Sequence, residues 1–172
     1  MNDFLTLAKN RFSVRAYDDR CVEDEKLEKI IEAGRVAPTA RNNQPQKVYV
    51  VKSEEKRAAL AKVTPCTFNA PVVFVICYDE TKAAEGKVYD GYSFGNTDAA
   101  IVCTHMMLEA TDLGLGTCWV GWFNEKEVKD ALGLPEHIRV CDLLPTGYAV
   151  DTAKPAPMHS SIKNAEETIE FI

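Results

Sequence analysis

Four short stretches of this 172-residue chain combine residue types that could hold a small molecule. The first is Arg11-Phe12-Ser13-Val14-Arg15. In an extended segment, side chains two apart share a face, so Arg11, Ser13 and Arg15 point one way while Phe12 and Val14 point the other. Two guanidinium forks flanking a hydroxyl suit a phosphate monoester, through charge-assisted and often bidentate hydrogen bonds. Read alone, the stretch is more simply a solvated basic edge beside Asp18 and Asp19. The second runs from Ala37 to Gln46. Its consecutive amides Asn42, Asn43 and Gln44, bracketed by Pro38 and Pro45, make a stiff loop dense in donors and acceptors. Such a loop could read the polar edge of a heterocycle, or be a plain helix-to-strand turn.

The third stretch is Gly114-Leu115-Gly116-Thr117-Cys118-Trp119-Val120-Gly121-Trp122. Glycines let backbone approach a ligand closely, and tryptophans offer flat apolar walls. The simpler reading is a helix C-cap at Gly114 followed by a core strand. Cys118 has no histidine at a recognisable motif spacing and reads as a small buried thiol rather than a nucleophile. The fourth is Leu144-Pro145-Thr146-Gly147-Tyr148, followed by Lys154. By themselves these are an ordinary turn after a strand and a surface lysine.

The elements that must position these stretches alternate in type. Leu5 to Asn10 reads as a short helix, and Arg11 to Tyr17 as extended chain. Val22 to Arg35 is helical by period, with Leu27, Ile30, Ile31 and Gly34 on one face and Pro38 as its stop. Lys47 to Lys52 reads as a strand, and Ser53 caps a helix to Val63. Pro71 opens a strand through Tyr78 whose two faces are both apolar, the pattern of a buried central strand. Asp79 to Gly95 is charged and Gly-punctuated, a loop. The longest helix is expected from Thr97 to Leu113, with Asn96 as N-cap and Gly114 as stop; its apolar positions suggest burial on two sides. Thr117 to Trp122 is a short strand or edge. Asn124 and Glu127 outline a capping box for a helix ending at Gly133, and Arg139 to Leu144 is a further strand. From Val150 onward, prolines and small polar residues make a tail. Its last residues, Thr168 to Ile172, are strand-like and need a sheet edge, possibly another chain's.

Composition excludes several classes. With 46% hydrophobic and 27% charged residues, the chain is an ordinary globular one, long enough to bury a core without disulfides or metal. Net charge of -6 argues against a general nucleic-acid binder, so an anionic ligand must find a local positive patch. The six cysteines, at 21, 66, 77, 103, 118 and 141, form no CxxC pair, and the three histidines are scattered, so no metal site is expected. No apolar run is long enough for a membrane span, and the N-terminus lacks signal-peptide character, so cytoplasmic residence is expected. No strand ends in GxGxxG and no GxxxxGK[ST] loop occurs, which removes the dinucleotide and P-loop folds.

Taken together and in order, the four stretches resemble the nitroreductase family of flavoproteins. The resemblance rests on Arg11-x-Ser13-x-Arg15, Ala37-Pro38-Thr39-x-x-Asn42-x-Gln44-Pro45, Gly114 to Gly121, and Leu144-Pro145-x-Gly147-Tyr148. It implies an α+β fold with a central mixed, mostly antiparallel sheet flanked by helices. It also implies one domain over 1–172 and an intertwined homodimer with two FMN sites at the interface, residues 150–172 being an arm around the partner. Arg11, Ser13 and Arg15 then contact the FMN phosphate and ribityl chain, with Phe12 lending backbone. Pro38, Thr39 and Asn42, with Gln44 near them, reach in from the other subunit. The backbone of Val120 and Gly121, with Trp122, approaches the flavin, and Lys154 lies near the phosphate.

The implied reaction passes hydride from NADH or NADPH through flavin N5 to a nitroaromatic, quinone or similar electron-poor acceptor. Solvent supplies protons, and no side chain is singled out as catalytic. Alternatives are a same-fold flavoenzyme of another reaction (reductive dehalogenation or flavin breakdown), a flavin-binding redox sensor, and a non-flavin dimeric interaction protein. Departures from the family pattern are Arg41 after Thr39-Ala40, Gln46 for a frequent aromatic, Pro155-Ala156 after Lys154, and a short Asp79–Gly95 segment. Arg41 is, by charge alone, a candidate to balance the reduced flavin.

Overall fold

The run Val72-Val73-Phe74-Val75-Ile76-Cys77-Tyr78-Asp79 forms strand β2 (Val72–Asp79), and all eight residues are buried. β-Branched and aromatic side chains on both faces require a layer on each side of such a strand. The computed structural model, which describes residues 3–86 and 90–172, supplies them. β2 lies between β1 (Gln46–Val51) and β4 (Ile138–Gly147), antiparallel to both, and β3 (Gly116–Thr117) pairs with β4 to give the order β1-β2-β4-β3. All four strands are antiparallel; the parallel component of the expected mixed sheet is a single bridge from Ser13 to Thr117 of β3.

One face of β2 (Val72, Phe74, Ile76, Tyr78) packs on α2 (Asp24–Arg35) and α4 (Gly95–Asp112). The other (Val73, Val75, Cys77) packs with Leu60 of α3 (Glu54–Val63) and Val128 of α5 (Glu125–Leu132). The sheet is thus the middle of three layers. Helix α2 buries Leu27, Ile30 and Gly34, and α4 buries Ala99, Val102, Cys103, Met106, Met107 and Ala110. The two helices sit close, since a Cβ on Gly34 would come 2.9 Å from Met106 Cγ. Helix α1 (Phe4–Asn10) starts at Asp3, whose carboxylate accepts from the Leu5 and Thr6 amides. Ser53 and Asn124 cap α3 and α5 through the Lys56 and Glu127 amides. Among the described residues, no helix is long and apolar enough to cross a membrane.

Three expectations shift. Helix α4 starts at Gly95 rather than after Asn96. Asn96 Oδ1 instead accepts from the Cys141 thiol at 3.3 Å, and Gly95 lies so close to the Tyr78 ring that a Cβ would sit 2.2 Å from Cε2. Strand β4 does not stop at Leu144 for a turn but runs through Pro145 to Gly147. Proline fits there because its carbonyl still accepts, from Cys118 N–H at 3.2 Å and from the Tyr17 hydroxyl at 3.0 Å. Finally, Thr168–Ile172 joins no strand of its own chain. The tail carries 3₁₀ turns at Pro157–Ser160 and Ala165–Glu167, and Ile162, Ile169, Phe171 and Ile172 are exposed. The expected loop Asp79–Gly95 includes residues 87–89, which lie outside the described residues.

At the end of β2, the Asp79 carboxyl is held down to about 2, first by the Thr81 hydroxyl and then by Lys82 and the Thr81 amide, against desolvation. A carboxyl depressed in the folded state stabilises above its unfolded pKa, and that contribution disappears as pH falls through the folded value. Asp79→Asn should therefore be less stable than wild type above about pH 4, with the gap closing as pH falls toward about 2. Paired urea titrations across that range check it.

Candidate functional site

Arg11 ends α1 with extended backbone, and the chain then runs alongside β3. Val14 N–H donates to Thr117 O at 2.9 Å, while the buried Val14 side chain fills the space a Cβ on Gly116 would need. The Tyr17 hydroxyl lies 2.9 Å from Val14 O and 3.0 Å from Pro145 O, and Tyr17 pairs with Ala149. The first, third and fourth stretches are therefore stitched into one corner of the sheet. Tyr17 is the tie that sequence reading missed; burial pushes its hydroxyl pKa far up, so it stays protonated as a donor. Tyr17→Phe leaves carbonyls short of a donor and should cost about 1–2 kcal/mol in a urea melt.

The side chains of this corner sort as the alternation requires. Burial pushes the Cys118 thiol up, and the nearby Arg15 guanidinium, the Ser13 hydroxyl and Arg11 oppose that shift. Phe12 instead meets the His159 ring edge-on, with centroids 6.4 Å apart. Asp18, a neighbour that could have neutralised Arg15, is taken by Arg20 at 2.7 Å. Among the described residues, no ion pair uses Arg11, Arg15 or Lys154. The tail returns to the same segment twice: Val150 N–H donates to Ala16 O at 3.3 Å, and His159 Nε2 donates to Lys9 O at 3.2 Å. Lys154 lies between these two pins. In a chain of net charge -6, Arg11 and Arg15 thus stand on one short segment with their charge not taken up by any described ion pair.

Downstream of β3, Val120 N–H and C=O both pair with Leu143, at 2.9 Å each, and the Val120 side chain is buried. Its backbone is thus engaged within the chain, which leaves Gly121 as the open approach. A Cβ on Gly121 would meet nothing within 4 Å. Trp122 is 76% exposed, and its carbonyl accepts from the Thr64 hydroxyl at 2.9 Å. Trp119 points the other way, and its indole N–H donates to Asp142 at 2.6 Å. Burial raises the Asp142 pKa, partly opposed by that bond.

The Pro38–Pro45 loop is elsewhere. Gln46 begins β1 opposite Tyr78, whereas Thr117 and Thr146 lie level with Val72 at the other end of β2. Three strand spacings and six residues of rise separate them by about 24 Å. Within one chain the loop and the arginine corner are not brought together. The loop makes a 3₁₀ turn at Ala40–Asn42, with Arg41, Asn42 and Gln44 at φ of 56°, 55° and 49°. Non-glycine residues in this region are strained and concentrate at functional sites. Thr39 Oγ1 accepts from Gln44 N–H at 3.1 Å, and Asn42 and Gln44 are exposed.

A family model described as Nitroreductase family matches residues 8–67 and 64–148. The chain belongs to the nitroreductase family. A nitroreductase family protein from Clostridium difficile 630 superposes with a TM-score of 0.92 at 35% identity, over 99% of this chain and 98% of that one. An FMN-dependent nitroreductase from Clostridium difficile R20291 superposes with a TM-score of 0.81 at 28% identity, over 98% of each chain. The FMN reductase [NAD(P)H] of Bacillus subtilis is 28% identical over 186 residues, 98% of this chain and 75% of that protein. All four stretches of the resemblance lie within or against the nitroreductase-family match. Lys154 and the tail lie beyond it.

Proposed function

We propose that this protein is an FMN-dependent oxidoreductase that takes reducing equivalents from NADH or NADPH and passes them to a nitroaromatic, quinone or similar electron-poor acceptor. It would work as a homodimer. The observation that carries the reading is the Arg11–Ser13–Arg15 segment of an acidic chain: two guanidiniums flanking a hydroxyl, neither guanidinium in an ion pair among the described residues. A phosphate monoester fits that donor set, and the open backbone at Gly121 fits a flat ring system. Names of relatives agree, since the family includes an FMN-dependent nitroreductase and an FMN reductase.

When bound, FMN supplies the two-electron redox chemistry that no side chain here provides. The residues' work is binding and orientation. Arg11, Ser13 and Arg15 would hold the phosphate, with Phe12 lending backbone and Lys154 adding charge from the tail. Gly121 would admit the ring edge, beside Val120 and under the exposed face of Trp122. Pro38, Thr39, Asn42 and Gln44 would meet the same flavin from a second subunit, which accounts for two clusters about 24 Å apart in one chain. The exposed apolar tail and an open hollow of about 980 Å³ along α1, α2 and α4, lined by Phe4, Leu7, Ala33, Val36 and Leu108, support the homodimer. Protons would come from solvent.

Anaerobic addition of NADH or NADPH to the FMN-loaded protein tests the reading. The yellow absorbance should bleach within the mixing time and return on adding a nitroaromatic or quinone. Flavin that stays oxidised with both donors would refute an enzymatic role.

A further inference from the structure

We infer that Asp98 is a positioning residue for the flavin-facing loop. Resting on the function proposed above, the inference assigns the clasp between the Asp98 carboxylate and the Ala40 amide the task of holding Thr39 and Asn42 in their binding conformation.

Asp98 lies in the first turn of α4, amid Ala99, Val102 and Cys103, and is 1% exposed. Its Oδ1 accepts from Ala40 N–H at 2.8 Å, across 58 positions of sequence. Its Oδ2 has no hydrogen-bond partner among the described residues. An acid in a first helical turn favours the helix dipole, but it does so from a solvated position too. Burying a carboxylate with one oxygen unsatisfied costs stability, so the dipole does not explain its place inside. What the burial does achieve is a fixed acceptor under the loop. The loop needs one. Arg41, Asn42 and Gln44 all hold left-handed backbone that an L-residue leaves readily when nothing restrains it. Asp98 grips the turn before the first of them, and Thr39 Oγ1 grips Gln44 N–H after the second. Asn42 is exposed between these two ties.

The clasp can be cut from either side. Asp98→Ala removes the acceptor, and Ala40→Pro removes the donor at a position, the first of a 3₁₀ turn, that tolerates proline. Asp98→Asn keeps an acceptor oxygen and drops the charge. Hydrogen exchange on the flavin-free protein should show the Ala40 amide exchanging at least tenfold faster in Asp98→Ala and within threefold of wild type in Asp98→Asn. FMN dissociation constants should rise about tenfold in Asp98→Ala and in Ala40→Pro and stay within threefold in Asp98→Asn. Unchanged Ala40 exchange in Asp98→Ala, wild-type FMN affinity in Ala40→Pro, or an Asp98→Asn as impaired as Asp98→Ala would each overturn the clasp. Wild-type protein that binds no FMN would overturn the flavin reading instead, while the exchange result would still decide the clasp.

Discussion

Arg15→Ala should bind FMN ten- to a hundredfold more weakly than wild type. The guanidinium is exposed, its only described hydrogen bond is a long one to Ser13 O at 3.3 Å, and Asp18 is occupied by Arg20. Its charge is therefore available to a phosphate at little cost in broken contacts. A charge-assisted hydrogen bond contributes roughly 1.5–3 kcal/mol, which sets the expected loss in affinity. Removing the side chain leaves Val14, Tyr17 and the bridge to Thr117 in place, so melting of the flavin-free protein should hardly move. Fluorescence quenching of FMN on titration with apoprotein measures the constant. Equal affinities for wild type and variant would take Arg15 out of the site.

Phe74→Ala should destabilise the fold by about 3–5 kcal/mol. Phe74 is 0% exposed at the middle of β2, in one cluster with Ile30, Val102 and Met106 of the α2–α4 layer and Leu144 of β4. The sheet is fixed by partners on both edges, Val50 and Leu144 standing opposite Phe74, so the cavity cannot easily collapse. A loss of that size is a large fraction of the roughly 5–15 kcal/mol that typically separates folded from unfolded chains. A urea titration measures it, and a change below about 1 kcal/mol would show that the layer repacks freely.

Phe74 also illustrates what could be read from sequence. β2 and α4 announce themselves because their apolar positions form runs too long or too wide for any exposed element, and both appear in the structure close to where the pattern puts them. Helix starts at Glu54 and Glu125 follow from the caps Ser53 and Asn124, chemistry that is local. The α4 start is misjudged because the cap side chain of Asn96 is claimed by Cys141, 45 positions away, and Gly95 by the Tyr78 ring. Pro145 reads as a turn because nothing local reveals that Tyr17 and Cys118 both need its carbonyl. The site follows the same division. The alternation at Arg11, Ser13 and Arg15 is visible at once. Val120's engagement with Leu143 and the carboxylate beneath Ala40 depend on pairings across the fold. For Asp98 a signal existed: a lone acid amid an apolar helix face, Asp98-Ala99-Ala100-Ile101-Val102-Cys103, demands a reason.

The separation of the arginine corner from the Pro38–Pro45 loop makes the proposed two-chain site open to direct test. Dimers can be assembled from one chain carrying Arg15→Ala and another carrying Asn42→Ala. One of the two sites then carries both lesions and the other carries neither. Homodimers of either variant should bind FMN weakly at both sites, whereas the mixed dimer should recover wild-type affinity at half of its sites. A mixed dimer with no tight site at all would contradict a flavin shared between subunits.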